Sequence, residues 1–400
     1  MERKQFLDYL KNNGVISFCT ADMLAIDCAL RNIKRINGYA VIEATSNQVN
    51  PEGGYTGMTA ADFRDRVRLL ASLNGLDESR LILGGDHLGP LPWESLPAEQ
   101  AMEKAEALIR ESVRAGFRKL HIDTTMPLGD ETYPLDEELI TDRWIRLYRV
   151  AEEEAWLMKA QNWNYEKPFY VIGNEVPAAG GAPTDEKETL HVTSPDGLER
   201  TIDLYREKLS QAGFPDAFDN IIAIVGDFGI DYSDRKVWEY PKGTAQKLME
   251  VMEKYPDMVL EAHSTDFQDR SSLKAMKEDG IRIFKVGPEL SYAHRESLFE
   301  FTQAEREFRP RSQWGNFPEV LEEAMNRNPG YWKNWYHGTE EEKRHMRMHS
   351  RLNRDRYYMN LPEVQDAVDR LLQNFNCEVV GEILWKAIDK VVQKYLEVLE

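Results

Sequence analysis

At 400 residues, with 42% hydrophobic and 30% charged residues, the chain has the composition of an ordinary folded protein and is long enough for one large barrel or two to three average domains. Its 50 Lys and Arg against 69 Asp and Glu give a formal charge of −19, which repels nucleic acid and anionic membrane surfaces and excludes both as expected partners. Cys19, Cys28 and Cys377 form no CxxC pair and are odd in number, and no apolar run reaches membrane-spanning length, so a reduced, cytoplasmic protein is expected.

Met1 to Leu10 mixes charged and apolar residues at helical spacing. From Val15 onward one unit recurs eight times: a β-branched or apolar run that ends on a polar residue and leads into an amphipathic stretch. The runs are Val15 to Cys19, Tyr39 to Ala44, Leu81 to Asp86, Arg118 to Asp123, Phe169 to Glu175, Ile221 to Asp227, Met258 to His263 and Ile281 to Val286. Near-continuous apolar runs such as Ile221 to Val225 suit parallel strands buried on both faces. Between them lie helical patterns at Ala98 to Ala115, Asp196 to Ala212 and Thr244 to Tyr255. Eight alternations in about 300 residues predict an α/β fold, a closed (β/α)8 TIM barrel over 1–309, with an open doubly wound sheet as the alternative. Past Arg309 the alternation gives way to helices at Pro318 to Asn326, Glu340 to Arg351 and Leu361 to Leu399. This predicts a helical C-terminal extension, 310–400, packed on the barrel or on a neighbouring subunit.

In such a barrel the active site lies at the C-terminal ends of the strands, so polar residues there are candidates by position. The second run supplies Glu43, Ser46, Asn47 and Gln48, the third Asp86 and His87, and the fourth His121 and Asp123. The fifth supplies Glu175, the sixth Asp227, the seventh Glu261, His263, Ser264 and Asp266, and the eighth Lys285. A single acidic residue at a strand end is more often a helix N-cap; a full ring of polar ends points to an enzyme. Asp86 and His87 are adjacent on a strand, so both reach the site only if the chain bends, which the flanking glycines permit. His87 and His263, with Glu175 or Asp227, would make a His, His, carboxylate metal site with an open position. His121 and Asp123, two apart on one face, form either an acid/base pair or a structural hydrogen bond. No GxxxxGK[ST] loop, no GxGxxG turn after a strand and no GxSxG elbow occurs.

The chain resembles the family of non-catalytic subunits of class II D-tagatose-bisphosphate aldolase. The resemblance is carried by Ile42-Glu43-Ala44-Thr45-Ser46-Asn47-Gln48-Val49-Asn50, Gly53-Gly54-Tyr55-Thr56-Gly57-Met58, Leu83-Gly84-Gly85-Asp86-His87-Leu88-Gly89-Pro90, Glu175-Val176-Pro177 with Gly180-Gly181, Glu261-Ala262-His263-Ser264-Thr265-Asp266 and Lys285-Val286-Gly287-Pro288. It implies a role in tagatose metabolism; some such relatives are C4 epimerases of tagatose 6-phosphate, others act on free ketohexoses. By similarity to class II aldolases it implies Asp86 as catalytic acid/base, His87 and His263 as ligands of a divalent metal, and Glu175 as the strand-five glutamate. Zinc is the expected ion, with manganese and nickel open. Where such aldolases carry a ligand after strand six, this chain reads Val225-Gly226-Asp227-Phe228-Gly229 and has no histidine.

The C4 hydrogen of a 2-ketose is not alpha to the carbonyl, so enolisation cannot remove it, and without a dinucleotide fingerprint retro-aldol cleavage between C3 and C4 is the economical route to inversion. Asp86 is the chosen base, with Glu43 and Asp123 next in line. Ser46, Asn47, Gln48, His121, Ser264, Asp266 and Lys285 are expected to hold substrate. Phosphate in such barrels often binds after strands seven and eight, but here Asp266 and Glu289 stand in those loops and Pro288 removes a donor. Lys285, Arg270, Arg295, Arg351, Arg354 or Arg356 could compensate, and Arg356 is the candidate phosphate contact. The expected partners are a ketose or ketose phosphate, a further copy of the chain and, in the competing reading, the catalytic aldolase subunit that a non-enzymatic chain would stabilise.

Overall fold

The computed structural model of the chain describes residues 3–129, 131–177, 180–182 and 190–399. Eight parallel strands close into a barrel: β1 (Val15–Cys19), β2 (Ala40–Thr45), β3 (Leu81–Leu88), β4 (Lys119–Ile122), β5 (Phe169–Ile172), β6 (Ile221–Gly226) and, after a small antiparallel hairpin of β7 (Asp231–Tyr232) and β8 (Val237–Trp238), β9 (Val259–Ala262) and β10 (Ile281–Val286). Around the ring the order is β1-β10-β9-β6-β5-β4-β3-β2. Strand residues are buried almost without exception, because helices cover the outside while side chains fill the inside; this is why the runs are apolar and do not alternate.

The outer layer begins with α1 (Arg3–Asn13), which does not join the ring. Its Phe6, Leu7 and Leu10 pack against Val15, Val41, Ile82, Phe169, Ile222 and Ile283, residues near the N-terminal ends of the strands. Phe6 stacks on Phe169 with ring centroids 5.3 Å apart, so α1 stoppers the bottom of the barrel. The covering helices are α2 (Met23–Arg35), α3 (Ala60–Leu73), α4 (Ala98–Arg114), α5 (Glu137–Gln161), α6 (Pro195–Gln211), α7 (Gln246–Met252), α8 (Arg270–Glu278) and α9 (Pro288–Phe308).

The tail divides in two. Helices α10 (Phe317–Arg327), α11 (Glu340–His349) and α12 (Pro362–Gln373) build a second apolar cluster with Leu298 and Phe301 of α9 and Tyr232 of the hairpin. This cluster sits over the strand C-termini and brings Arg356 and Tyr357 to the mouth of the barrel. The expected continuous helical stretch from Leu361 to Leu399 is broken at Asn374–Asn376, after which α13 (Cys377–Leu399) returns to the barrel. Ile388, Val391, Val392, Tyr395 and Leu396 join the barrel's own core, and α13 lies against α2, α8 and α9. Among the described residues, no helix is long and apolar enough to cross a membrane.

Candidate active site

The Gly84-Gly85-Asp86-His87 segment sets the geometry. A side chain at Gly84 would come within 2.8 Å of the Glu43 carboxylate and of the Lys119 carbonyl, so only glycine lets the interior charges approach the strand. The pairing of β3 with β4 shifts register between Gly85 and Leu88, and His87 adopts a left-handed φ of 47°. This bulge solves the alternation problem: both Asp86 and His87 line one cavity.

Three imidazoles meet beside it edge to face, with centroids 5.0 Å apart for His87–His121 and His87–His263 and 4.7 Å for His121–His263. Each has one ring nitrogen held by its own carboxylate. His87 Nδ1 lies 2.6 Å from Asp123 Oδ2, His121 Nδ1 lies 2.9 Å from Asp86 Oδ1, and His263 Nε2 lies 3.1 Å from Glu261 Oε1. The His121 ring nitrogen also lies 3.1 Å from the His87 backbone N–H. His121 Nε2 is buried without a hydrogen-bond partner. Donor atoms of Asp86, His87, His121 and His263 all fall within 4.8 Å of one another. An orphaned imidazole nitrogen, among imidazoles whose other nitrogens face carboxylates, fits a divalent cation. Burial lowers the pKa of His121, and burial together with Lys285 lowers that of His263 to about 3, so both are neutral as ligation requires. For His87 burial acts the same way, but Asp86 and Asp123 outweigh it and raise the pKa.

Beneath the histidines lies a fully buried charge lattice. Lys119 Nζ is 2.8 Å from both Glu43 Oε1 and Glu261 Oε2, while Lys285 Nζ is 2.7 Å from Glu43 Oε2 and also pairs with Asp86. Burial opposes the charged form of each, yet the pairing prevails: Lys285 stays well above its ordinary pKa, and Asp86 and Glu261 well below theirs.

Several expected placements change. Glu175 is half-exposed, accepts a hydrogen bond from Thr193 and lies 3.1 Å from His191, and Asp227 Oδ1 accepts from the Gly229 backbone N–H. Neither belongs to the histidine cluster; each is held by the loop that follows its strand, and the cluster's third histidine is His121 of β4. His121 and Asp123 do not pair with each other, because Asp123 takes His87 and His121 turns to Asp86. Glu43 lies below the cavity and does not line it, nor do His121, Asp123 and Ser46, the last with a buried hydroxyl that has no hydrogen-bond partner among the described residues. Asn47, Gln48, Ser264, Asp266, Lys285 and Arg356 do line it. Asp266 accepts from the backbone N–H groups of Gly287 (3.0 Å) and Glu289 (2.8 Å), so it caps α9 and fills the expected phosphate position. Burial pushes its carboxyl up to about 7.

Lys119 escaped the sequence reading, although Lys119, His121 and Asp123 stand two apart and so face the same way. Tyr55, Tyr232 and Tyr357 also line the cavity, whose volume is about 370 Å³, within the range of small-molecule sites.

A family model described as D-tagatose-1,6-bisphosphate aldolase subunit GatZ/KbaZ-like matches residues 5–396. The chain is similar, at 34% identity and a TM-score of 0.84, to a probable tagatose 6 phosphate kinase from Sinorhizobium meliloti 1021, over 96% of this chain and 100% of that one. It shares its fold, at 15% identity and a TM-score of 0.50, with the fructuronate-tagaturonate epimerase UxaE from Cohnella laeviribosi, over 97% of this chain and 82% of that one.

Proposed function

Because the chain belongs to the GatZ/KbaZ-like family of D-tagatose-1,6-bisphosphate aldolase subunits, we propose that it acts in tagatose metabolism as a C4 epimerase of ketohexoses, interconverting tagatose-type and fructose-type sugars by retro-aldol and aldol steps. The observation that carries this is the cluster of three buried histidines, each with one nitrogen held by its own carboxylate, of which His87 and His263 line one cavity with Asp86 and Lys285. His87, His121 and His263 would hold a divalent metal, zinc being the first choice for a three-histidine donor set, with manganese and nickel as alternatives. Such a cation, when bound, polarises the C2 carbonyl of the ketose.

The residues of the chain account for the proton movements. Asp86, ionised under its pairing with Lys285, accepts the C4 hydroxyl proton. The C4 oxygen becomes a carbonyl, the C3–C4 bond breaks, and its electron pair passes through C3 onto the C2 oxygen, beside the Lys285 ammonium. The aldehyde turns its other face, the C3–C4 bond re-forms, and Asp86 returns the proton to the new C4 oxygen. Nothing is oxidised or reduced overall, in keeping with the missing dinucleotide fingerprint.

The second reading, a non-enzymatic subunit that stabilises a catalytic aldolase, follows from the family description. The purified chain, incubated alone with tagatose 6-phosphate or free tagatose, should yield the corresponding fructose, lose this activity to a chelator and regain it with divalent metal. Absence of product in all these assays, with a rise in the yield or stability of a co-expressed class II aldolase, would select the subunit reading.

A further inference from the structure

Among the described residues, the buried arginines Arg143, Arg295 and Arg347 each have a carboxylate partner, in Glu131, Asp355 and Glu322. Arg354, equally buried, and Arg356 beside it have none, in a chain with 19 more acidic than basic residues. Arg354 donates to the Tyr331 carbonyl (2.8 Å) and the Tyr357 hydroxyl (3.2 Å). Arg356 donates to the carbonyls of Leu352 and Asn353 (2.6 and 2.8 Å) and to the same Tyr357 hydroxyl (3.1 Å). Asp355 lies between them in sequence, but its carboxylate pairs with Arg295.

Two guanidinium charges held side by side without a counter-anion are costly, because guanidinium cannot shed its proton. Their ends converge beside Gly180, where an added side-chain carbon would lie 2.7 Å from Arg356 Nη2 and 3.3 Å from Arg354 Nη1. Gly180, with φ at +89°, keeps that approach open. Burial works against ionisation of the Tyr357 phenol between them, yet the two cations lower its pKa, as expected where the local field calls for negative charge. Tyr55 packs on Tyr357 with centroids 4.5 Å apart, and the buried Tyr232 hydroxyl has no hydrogen-bond partner. Gly180, Tyr55, Tyr232, Arg356 and Tyr357 line the same cavity as Asp86, His87 and Lys285.

We propose that Arg356 and Arg354, with the hydroxyls of Tyr357, Tyr55 and Tyr232, form an anion subsite for one terminal phosphate of the ketose. A phosphate monoester, carrying about −1.5 to −2 at neutral pH, matches two cations better than a carboxylate does. The helix N-terminus that would otherwise serve is already filled by Asp266. The subsite rests on the ketose reading for the sugar, but the anion rests on the arginines alone.

Calorimetric titration of the whole purified chain with inorganic phosphate, fructose 6-phosphate, fructose and a ketouronate tests it. The ester should bind at least about tenfold tighter than fructose, a preference that Arg356→Gln and Arg354→Gln each reduce and Arg356→Lys partly restores. In the unmutated chain, inorganic phosphate should shield Arg356 from phenylglyoxal, a mass-spectrometric readout that needs no variant. Equal affinity for fructose and its ester, or an unshielded Arg356, overturns the subsite, and a ketouronate that binds tighter than the ester overturns its assignment to phosphate. Arginine-dependent ester binding without epimerisation leaves the subsite standing and removes the epimerase reading. Epimerisation with no preference for the ester removes the subsite alone.

Discussion

The Asp86 carboxylate touches a cation, Lys285, and an imidazole, His121, has His87 Nε2 3.8 Å away, and lines the cavity. Asp86→Asn keeps the shape but cannot take a proton, so turnover should fall by about 10² to 10⁴ while circular dichroism stays that of the unmutated chain. Lys285 keeps Glu43 as a counter-ion in that variant, which is why the fold should survive. A near-normal rate would move the base to another group. The proposal that His121, and not Glu175 or Asp227, is the third metal ligand is tested at the same scale. His121→Ala should lose bound metal on dialysis, whereas Glu175→Gln and Asp227→Asn should keep it, as read by elemental analysis. Asp123→Asn, which removes the negative charge beside His87 Nδ1, should weaken metal binding about 10- to 100-fold. Retention of metal by His121→Ala, or its loss in Glu175→Gln, would restore the carboxylate as third ligand. His121 was visible as a strand-end histidine, but its partner was not. Which carboxylate takes His87 and which takes His121 depends on contacts between residues 35 or more apart in sequence.

Elements are tied by a few polar joints, and the clearest links α2 to α9. Asp22 caps α2 through the Leu24 and Ala25 N–H groups, and its second oxygen lies 2.7 Å from His294 Nδ1. Burial disfavours both charges, but their proximity prevails: His294 titrates above its ordinary 6.5 and Asp22 below its ordinary 3.8. His294 therefore binds its proton more tightly folded than unfolded, and its contribution is complete below about pH 6.5 and fades as pH rises through the elevated value. Asp22 contributes above about pH 3.8 and loses this as pH falls through its depressed value. The pair is worth most between those limits. With both side chains about a fifth exposed (21% and 18%), about 1 kcal/mol is a reasonable scale. His294→Gln should thus lower the melting temperature more at pH 6 than at pH 9; equal losses at both would mean that the joint is not ionic. Elements were also the scale at which the sequence was most readable. The runs Val15 to Cys19 and Ile281 to Val286 are strands with those bounds, because a parallel strand covered on both faces is mostly apolar, with Ser17 and Lys285 turned inward to Glu43. The β7–β8 hairpin was not foreseen, since two-residue strands carry no periodicity.

Across the whole molecule, the alternation of runs and helices sufficed to read a closed barrel, but a helical period does not say which part of that barrel a distant helix covers. The sequence reading ended the barrel at residue 309. In the fold, α13 lies against α2, α8 and α9, where its Ile388, Val391, Val392, Tyr395 and Leu396 complete the barrel core. At about 1.5 to 3 kcal/mol for each fully buried apolar side chain, these five contribute on the order of 10 kcal/mol, comparable to the net stability of a whole domain. The intervening α10–α12 cluster brings Arg356 and Tyr357 to the cavity, so the tail both closes the scaffold and furnishes the site. A fragment of residues 1–309 should therefore lack a cooperative thermal transition and expose apolar surface to a dye such as ANS. A chain from which only residues 310–375 are replaced by a short flexible linker, leaving α13, should regain cooperative melting while losing Arg356-dependent phosphate binding. Cooperative unfolding of the 1–309 fragment on its own would show that α13 merely decorates a barrel that is already complete.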